Sequence, residues 1–236
     1  MKKLFLLIIV SYAFSSSLYS KSRFQTGDTV YVFAVNGMNL RKDASLVAPV
    51  KAKIPYGERL LITGIPDNQD SVVVKEFEGF NIAGHFVEVE YRGQSGYIFD
   101  GYLSKLIPPV AGESVSDYLT RYGPAGEHYD LIRGGENCGL DTTCVCGYTL
   151  DYGKLATVTE DGCGVVGRNR YYFKTANLTE GFLLARVLFF AKDQTYSYSE
   201  EQNIIDIMSG DNQGPPCRYE ITEDDKGIVI SSFCGC

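Results

Sequence analysis

Tryptophan is absent from this 236-residue chain, and histidine occurs only as His85 and His128. The first absence argues against a proline-peptide groove walled by large aromatics. The second leaves little material for a zinc hydrolase that draws on several histidines. Cysteine is missing from the first 137 residues, so the N-terminal segment has no thiol for a lipid anchor. Among the seven cysteines no Cys-x-x-Cys pair occurs, which removes the usual basis of a thiol redox centre. Basic residues are too few to balance the acids, 22 against 29, and a chain of net charge −7 repels nucleic acid and anionic lipid.

One apolar run stands out, and it is short. Lys2 and Lys3 precede Leu4 to Phe14, and small residues from Ser15 to Ser22 follow. A basic start, an apolar core too short to span a bilayer and a small-residue end form the pattern of a secretory leader. Residues 1–20 are therefore expected to be removed, with the mature chain starting shortly after Ser20 or Ser22. The expected product is an exported protein, periplasmic or secreted, with no membrane span after cleavage. Its charge would be 20 basic against 29 acidic residues, and its length of about 216 residues suffices for one large or two modest domains.

From Asp28 to Leu106, short alternating runs are broken by turn signals. Phe86-Val87-Glu88-Val89-Glu90-Tyr91 places Val87, Val89 and Tyr91 on one face, and Arg92-Gly93-Gln94-Ser95-Gly96 then supplies a hairpin before Tyr97-Ile98-Phe99. Met38-Asn39-Leu40-Arg41 opens a loop, Pro55-Tyr56-Gly57 makes a turn, and Gly101-Tyr102-Leu103 closes the region. Closely spaced short strands of this kind suit a small barrel. This stretch resembles the bacterial SH3-like (SH3b) domain, with its Asn-Val/Leu-Arg loop, its aromatic-x-Val-x-Tyr strand, its Gly hairpin and its final Tyr-Val/Ile strand. The resemblance implies a small β-barrel over 27–107 that contacts peptidoglycan peptides or a protein. Departures are Arg41-Lys42-Asp43-Ala44 in place of the family's Gly-Pro loop, Phe86 in place of Trp, and a longer stretch from Gly64 to Ala83.

Pro108 and Pro109 with Gly112 mark a linker over 108–113. Residues 114–236 then form a second, cysteine-containing β-rich domain. Ser114 to Tyr122 reads as one short helix, capped by Ser114 or Ser116 and stopped at Gly123-Pro124. The remainder reads mostly as strands: Tyr148 to Val158, Arg170 to Ala176, Gly181 to Ala191, and a final pair within Cys217 to Cys234. For the nearly all-apolar Gly181 to Ala191, a helix fits the pattern equally well. The fold class expected is thus mainly β, an SH3-like barrel followed by a disulfide-containing β-rich domain with a short helix.

All seven cysteines fall in 114–236, which in an exported protein reads as disulfide stapling. A hairpin centred on Asp224-Asp225-Lys226-Gly227 puts Glu223 opposite Ile228, Ile221 opposite Ile230 and Cys217 opposite Cys234, within disulfide reach. Cys144-Val145-Cys146 and Cys234-Gly235-Cys236 are too closely spaced for the usual zinc ligand pairs. No metal or cofactor is expected.

Catalytic patterns are sparse. His85 is expected on an exposed strand, and His128 in a Gly/Tyr-rich loop. SH3-like modules often accompany NlpC-type cysteine peptidases, in which His follows the catalytic Cys; here no His follows any Cys. The expected function is a non-catalytic exported binding or envelope protein, with peptidoglycan or an envelope protein as partner, and no catalytic residue is assigned. The alternative is a cell-wall hydrolase using paired carboxylates of the second domain. Candidate ligand contacts are an exposed subset of Tyr31, Tyr56, Phe86, Phe99 and Tyr102, since exposed aromatics near loops offer contact area at low entropic cost.

Overall fold

The computed structural model describes residues 22–67, 70–122, 125–126, 128–134, 143–153, 155–161, 166–174, 176–189, 194–209 and 217–235. The expected leader, Cys138, Cys163 and Cys236 lie outside the described residues. The fold is mainly β, built on two antiparallel sheets and a separate hairpin.

The first sheet contains β1 (Thr29–Val32), β2 (Met38–Arg41), β3 (Val50–Ile54) and β4 (Arg59–Gly64). Between β4 and the rest of the sheet, β5 (Val72–Phe77) and β6 (Phe80–Gly84) form a hairpin of their own. β7 (Phe86–Tyr91), β8 (Gln94–Phe99) and the short β9 (Leu103–Ser104) complete the sheet in the order β3-β2-β8-β7-β4-β1-β9. The expected closed barrel is not found: β3 and β9 are the sheet's two edges and do not pair. The long hairpin β5–β6 leaves the sheet rather than extending it, and pairs only within itself.

Alternation explains the interior. Val87, Val89, Leu60 and Ile62 are buried, whereas Glu90, Arg59 and Leu61 on the same strands are exposed. Tyr91 and Gln94 are partners, so the β7–β8 turn is the two residues Arg92 and Gly93, both with positive φ (51° and 74°). That is the twist-matched hairpin turn. Gly96, expected to serve the turn, instead lies in β8, where a Cβ would come 2.7 Å from Arg41 O on the neighbouring strand.

The second sheet has eight strands: β10 (His128–Gly134), β11 (Thr143–Tyr152), β12 (Ala156–Asp161), β13 (Val166–Lys174), β14 (Gln194–Ser199), β15 (Ile204–Ser209), β16 (Cys217–Asp224) and β17 (Gly227–Gly235). Their order is β10-β11-β12-β13-β17-β16-β15-β14. The β16–β17 register pairs Glu223 with Ile228, Ile221 with Ile230 and Cys217 with Cys234, as the sequence symmetry predicts. Asp224 Oδ1 accepts from the backbone N–H groups of Lys226 and Gly227 and so fixes that turn.

One strand expectation is corrected and one open choice is resolved. Tyr148 to Val158 is two strands, broken at Gly153, whose φ of +62° a continuing strand cannot hold. For Gly181 to Ala191, which fitted strand and helix equally, the described part takes the helical alternative: Leu178–Leu188 is helix α2, started by an Asn177–Glu180 capping box. The helix α1 (Val115–Thr120) does form where expected, with Ser114 Oγ accepting from Asp117 N. The 108–113 stretch is pinned rather than loose, because Tyr56 Oη donates to Pro109 O at 2.8 Å and Arg121 Nη2 to Pro108 O at 2.8 Å.

α2 packs on β16 and β17 of the second sheet and on the β5–β6 hairpin. Gly181 allows close approach to Ile228 and Ile221. Phe182 meets Phe77 and Phe80 of the hairpin at centroid distances of 5.6 and 5.4 Å. Tyr196 and Tyr198 of β14 meet the same two phenylalanines at 5.4 and 5.3 Å. The buried side chains of both halves therefore form one continuous apolar cluster.

Candidate functional site

A cavity of about 320 Å³ opens where the turn after β1, the Val74/Glu76 face of β5 and the C-terminal part of α2 converge. Its size falls at the low end of small-molecule pockets. Phe86, Phe99 and Tyr102 line it, which brings together three of the five aromatics singled out from sequence. Phe86 and Phe99 are nearly buried, at 1 and 5 % exposure, so they offer a floor rather than an exposed surface. Their rings meet edge-on at 6.3 Å, and Phe99 meets Tyr102 edge-on at 5.8 Å. Tyr102, half-buried, is the member that presents a polar tip.

Tyr31 and Tyr56 are not part of this cavity. Tyr31 sits in β1 opposite Ser104 of β9. Tyr56 packs edge-on against Phe33 and donates its hydroxyl to the 108–113 stretch.

The charged wall was not foreseen. Glu76 of β5 pairs with Arg186 of α2, and Tyr102 Oη donates to Glu76 Oε2 at 2.6 Å. Burial, and then the hydrogen bond to Glu76, push the Tyr102 hydroxyl well above the ordinary tyrosine range. Arg186 lies 110 positions from Glu76, so no local pattern could have announced the pair. The Asn39-Leu40-Arg41 motif, expected to open a loop, is part of strand β2; its Asn39 and Arg41 also line the cavity, and Arg41 Nη1 donates to Ala48 O at 2.7 Å, which ties down the loop that carries Leu46. Val35 and Leu46 at the mouth are exposed, and so is Val47 beside them.

Chemically this is an aromatic floor with an apolar lip and a wall of two guanidinium groups and one carboxylate. Among the described residues no Ser, Thr, Cys, His, Asp or Lys lines it, and Glu76 is the only carboxyl group among them. A carboxylate pair of the kind glycoside cleavage needs is therefore not assembled at this cavity.

A second, polar cavity of about 140 Å³ lies beside Asp100, His85, Arg23, Ser71 and the start of α2. Here the reading of His85 as a surface strand residue is corrected: it is 4 % exposed and falls between β6 and β7. Its backbone N–H donates to Asp100 Oδ1 at 2.7 Å, and among the described residues its Nε2 has no hydrogen-bond partner. His128, expected in a loop, instead opens strand β10, stacks on Tyr148 at 5.3 Å and contacts Asp130 Oδ1 at 3.0 Å; it lines neither of these two cavities.

Among the described residues, no group of three or more His, Cys, Asp or Glu side chains is placed to hold a metal ion. No described helix is long and apolar enough to cross a membrane. Comparison with protein-family models, with curated proteins and with solved structures finds no match to this chain.

Proposed function

We propose that the protein is an exported, non-catalytic binding protein of the bacterial cell envelope, periplasmic or secreted, whose SH3-like region over 27–107 contributes most of the ligand site. The reading rests on the leader-like start, on the Asn39-Leu40-Arg41 and Phe86-to-Tyr91 motifs, and above all on the 320 Å³ cavity where Asn39 and Arg41 of β2 meet Phe86, Phe99 and Tyr102. An aromatic floor with few convergent polar groups suits capture of a partly apolar ligand. The ligand is a peptidoglycan peptide or a segment of an envelope protein, its apolar part on the aromatic floor and its polar part on the Glu76–Arg186 wall.

The same reading makes 114–236 a disulfide-stapled domain with Cys217 bonded to Cys234. Support comes from the backbone register, which sets the two residues directly opposite each other, and from the disulfide-bonded form of Cys217. Facing residues of antiparallel strands sit about 4.5–5.5 Å apart at Cα, inside the disulfide range.

The test is co-sedimentation of the exported protein with purified peptidoglycan, with analysis of the supernatant for released fragments. Retention without release, weakened by Tyr102→Ala and by Leu46→Asp while the circular dichroism spectrum is kept, is the expected result. Fragment release abolished by changing one acidic residue of 114–236 would make the protein a cell-wall hydrolase instead. No retention at all leaves an envelope protein as the ligand.

A further inference from the structure

The charges that line the 320 Å³ cavity do not cancel. Glu76 is already engaged, since it pairs with Arg186 and its Oε2 receives Tyr102 Oη at 2.6 Å. Arg41 is different. Its side chain makes one hydrogen bond, from Nη1 to Ala48 O at 2.7 Å, and among the described residues no acid forms an ion pair with it. A guanidinium keeps its charge in proteins and carries five N–H donors, so most of its donor capacity is left over. Two cations and one anion on the lining leave this place locally positive, in a chain whose net charge is −7.

The other groups at the cavity narrow what can answer that charge. Asn36 and Asn39 line it with exposed side-chain amides that make no hydrogen bond among the described residues. Such an amide offers both a donor and an acceptor, the complement of a peptide group. Phe86 and Phe99 form the apolar floor, and Val35 and Leu46 at the mouth are 52 and 43 % exposed. A phosphate brings close to two negative charges, more than the lining leaves uncompensated. The interior of a peptide chain brings none from its backbone. In the last residue of a peptide, the carboxylate and the side chain leave the same carbon, directly after an amide, so all three features fit a cavity at the small end of ligand sites.

We propose that the cavity takes a peptide by its free C-terminal carboxylate, held on Arg41, with the last peptide group at Asn36 and Asn39 and an apolar last side chain on the Phe86–Phe99 floor. This rests on the binding reading above and narrows it from a peptide to a peptide chain end. The bond from Arg41 to Ala48 O holds the guanidinium before the ligand arrives, which lowers the ordering cost of binding. The contact is a charge-assisted one, and a planar fork can meet a carboxylate with two parallel N–H donors.

The test is titration of the exported protein, followed by NMR, with three compounds: N-acetyl-Ala-Leu as the free acid, the same dipeptide as its C-terminal amide, and N-acetyl-D-Ala-D-Ala as the free acid. The better of the two acids should bind at least about tenfold more tightly than the amide, the factor expected for one hydrogen bond to a charged group. Methyl shifts should centre on Val35, Leu46 and Val74. In Arg41→Gln the preference for acid over amide should disappear; if that variant does not fold, the comparison in the native protein decides alone. Tighter binding of the first acid assigns a protein chain end, and of the D-Ala acid a wall stem peptide. Equal binding of acid and amide, or shifts away from the cavity, overturns the proposal. Peptidoglycan retention without binding of either acid refutes carboxylate capture and leaves the binding reading intact. Acid preference without retention supports the capture and excludes the wall as ligand, and neither binding nor retention refutes both.

Discussion

Gly181→Ala sets two opposed effects against each other in the helix that joins the halves. Alanine is favoured over glycine in a helix interior by about 1 kcal/mol. At this position the new methyl would overlap Ile228 Cδ1 and lie 3.0 Å from Ile221 Cγ2, and all three residues are buried. Overpacking a closed core costs typically 1–3 kcal/mol, and Ile221 Cγ2 is a branch methyl close to the backbone that cannot swing away. Sterics should win, with a net loss of about 1–2 kcal/mol. Ile228→Val removes Cδ1 and alone should cost about 0.5–1.5 kcal/mol. In the double variant the new methyl occupies the vacated space, so the two losses should fail to add by at least about 1 kcal/mol, a coupling well within what contacting residues show. Urea unfolding followed by circular dichroism measures all four corners of the cycle. A Gly181→Ala protein as stable as the parent, or strictly additive losses, would refute the claim that this glycine exists for the α2-to-sheet approach.

Three further outcomes are expected. Asn177→Ala removes the acceptor for Glu180 N at the start of α2 and should lower stability by about 1 kcal/mol, which a shift in urea midpoint would register. Non-reducing peptide mapping should link Cys217 to Cys234, and Cys217→Ser with Cys234→Ser should lower stability by roughly 3 kcal/mol, as expected for a loop of this length; linkage of Cys217 to another cysteine would defeat the register argument. Burial raises the hydroxyl pKa of Tyr56, Tyr102 and Tyr118, and a hydrogen bond to Glu160 pushes Tyr148 up to about 12. The associated stability is fully present below the unfolded value near 10 and declines as pH rises further, because the unfolded chain then sheds protons that the folded chain keeps. Absorbance at 295 nm should therefore show these tyrosines ionising together with the loss of circular dichroism, whereas free titration near pH 10 in a folded protein would contradict their burial.

What could be read from the sequence was local. The β16–β17 register followed from pairing Ile221 with Ile230 about a polar turn, and the α1 cap was narrowed to Ser114 or Ser116, of which the structure uses Ser114, because both depend on residues a few positions apart. Gly181 to Ala191 defeated periodicity since α2 is covered on more than one side, by β16 and β17 and by the β5–β6 hairpin, so that nearly every position is apolar. The decisive signal was Asn177 with Glu180, just upstream of the stretch considered. The aromatic floor of the cavity was legible as residue type but not as exposure, and Phe86 proved a core residue. The charged wall was out of reach because Glu76 and Arg186 meet only through the packing of α2 on a hairpin. His85 misled for a related reason: it follows the end of β6, and the carboxylate that receives its N–H arrives from position 100.

The strand order β10-β11-β12-β13-β17-β16-β15-β14 consists of two four-strand meanders laid side by side, and this bears on how the chain acquires its structure. Within each meander every strand pairs with its sequence neighbour, so each can zip up through short loop closures. The seam is different: β13 meets β17 through pairs from Lys174–Gly227 to Val166–Gly235, with α2 and three strands of intervening chain. Non-local pairing of this kind carries the larger closure entropy and is the slow event in β proteins. The two meanders are thus expected to form early and independently, and their union along β13 and β17, with α2 settling across β16 and β17, sets the rate at which the second half reaches its final form. Until that union is made, each meander exposes the edge that will become the middle of the sheet, which makes the interval before it the time of greatest exposure to mispairing.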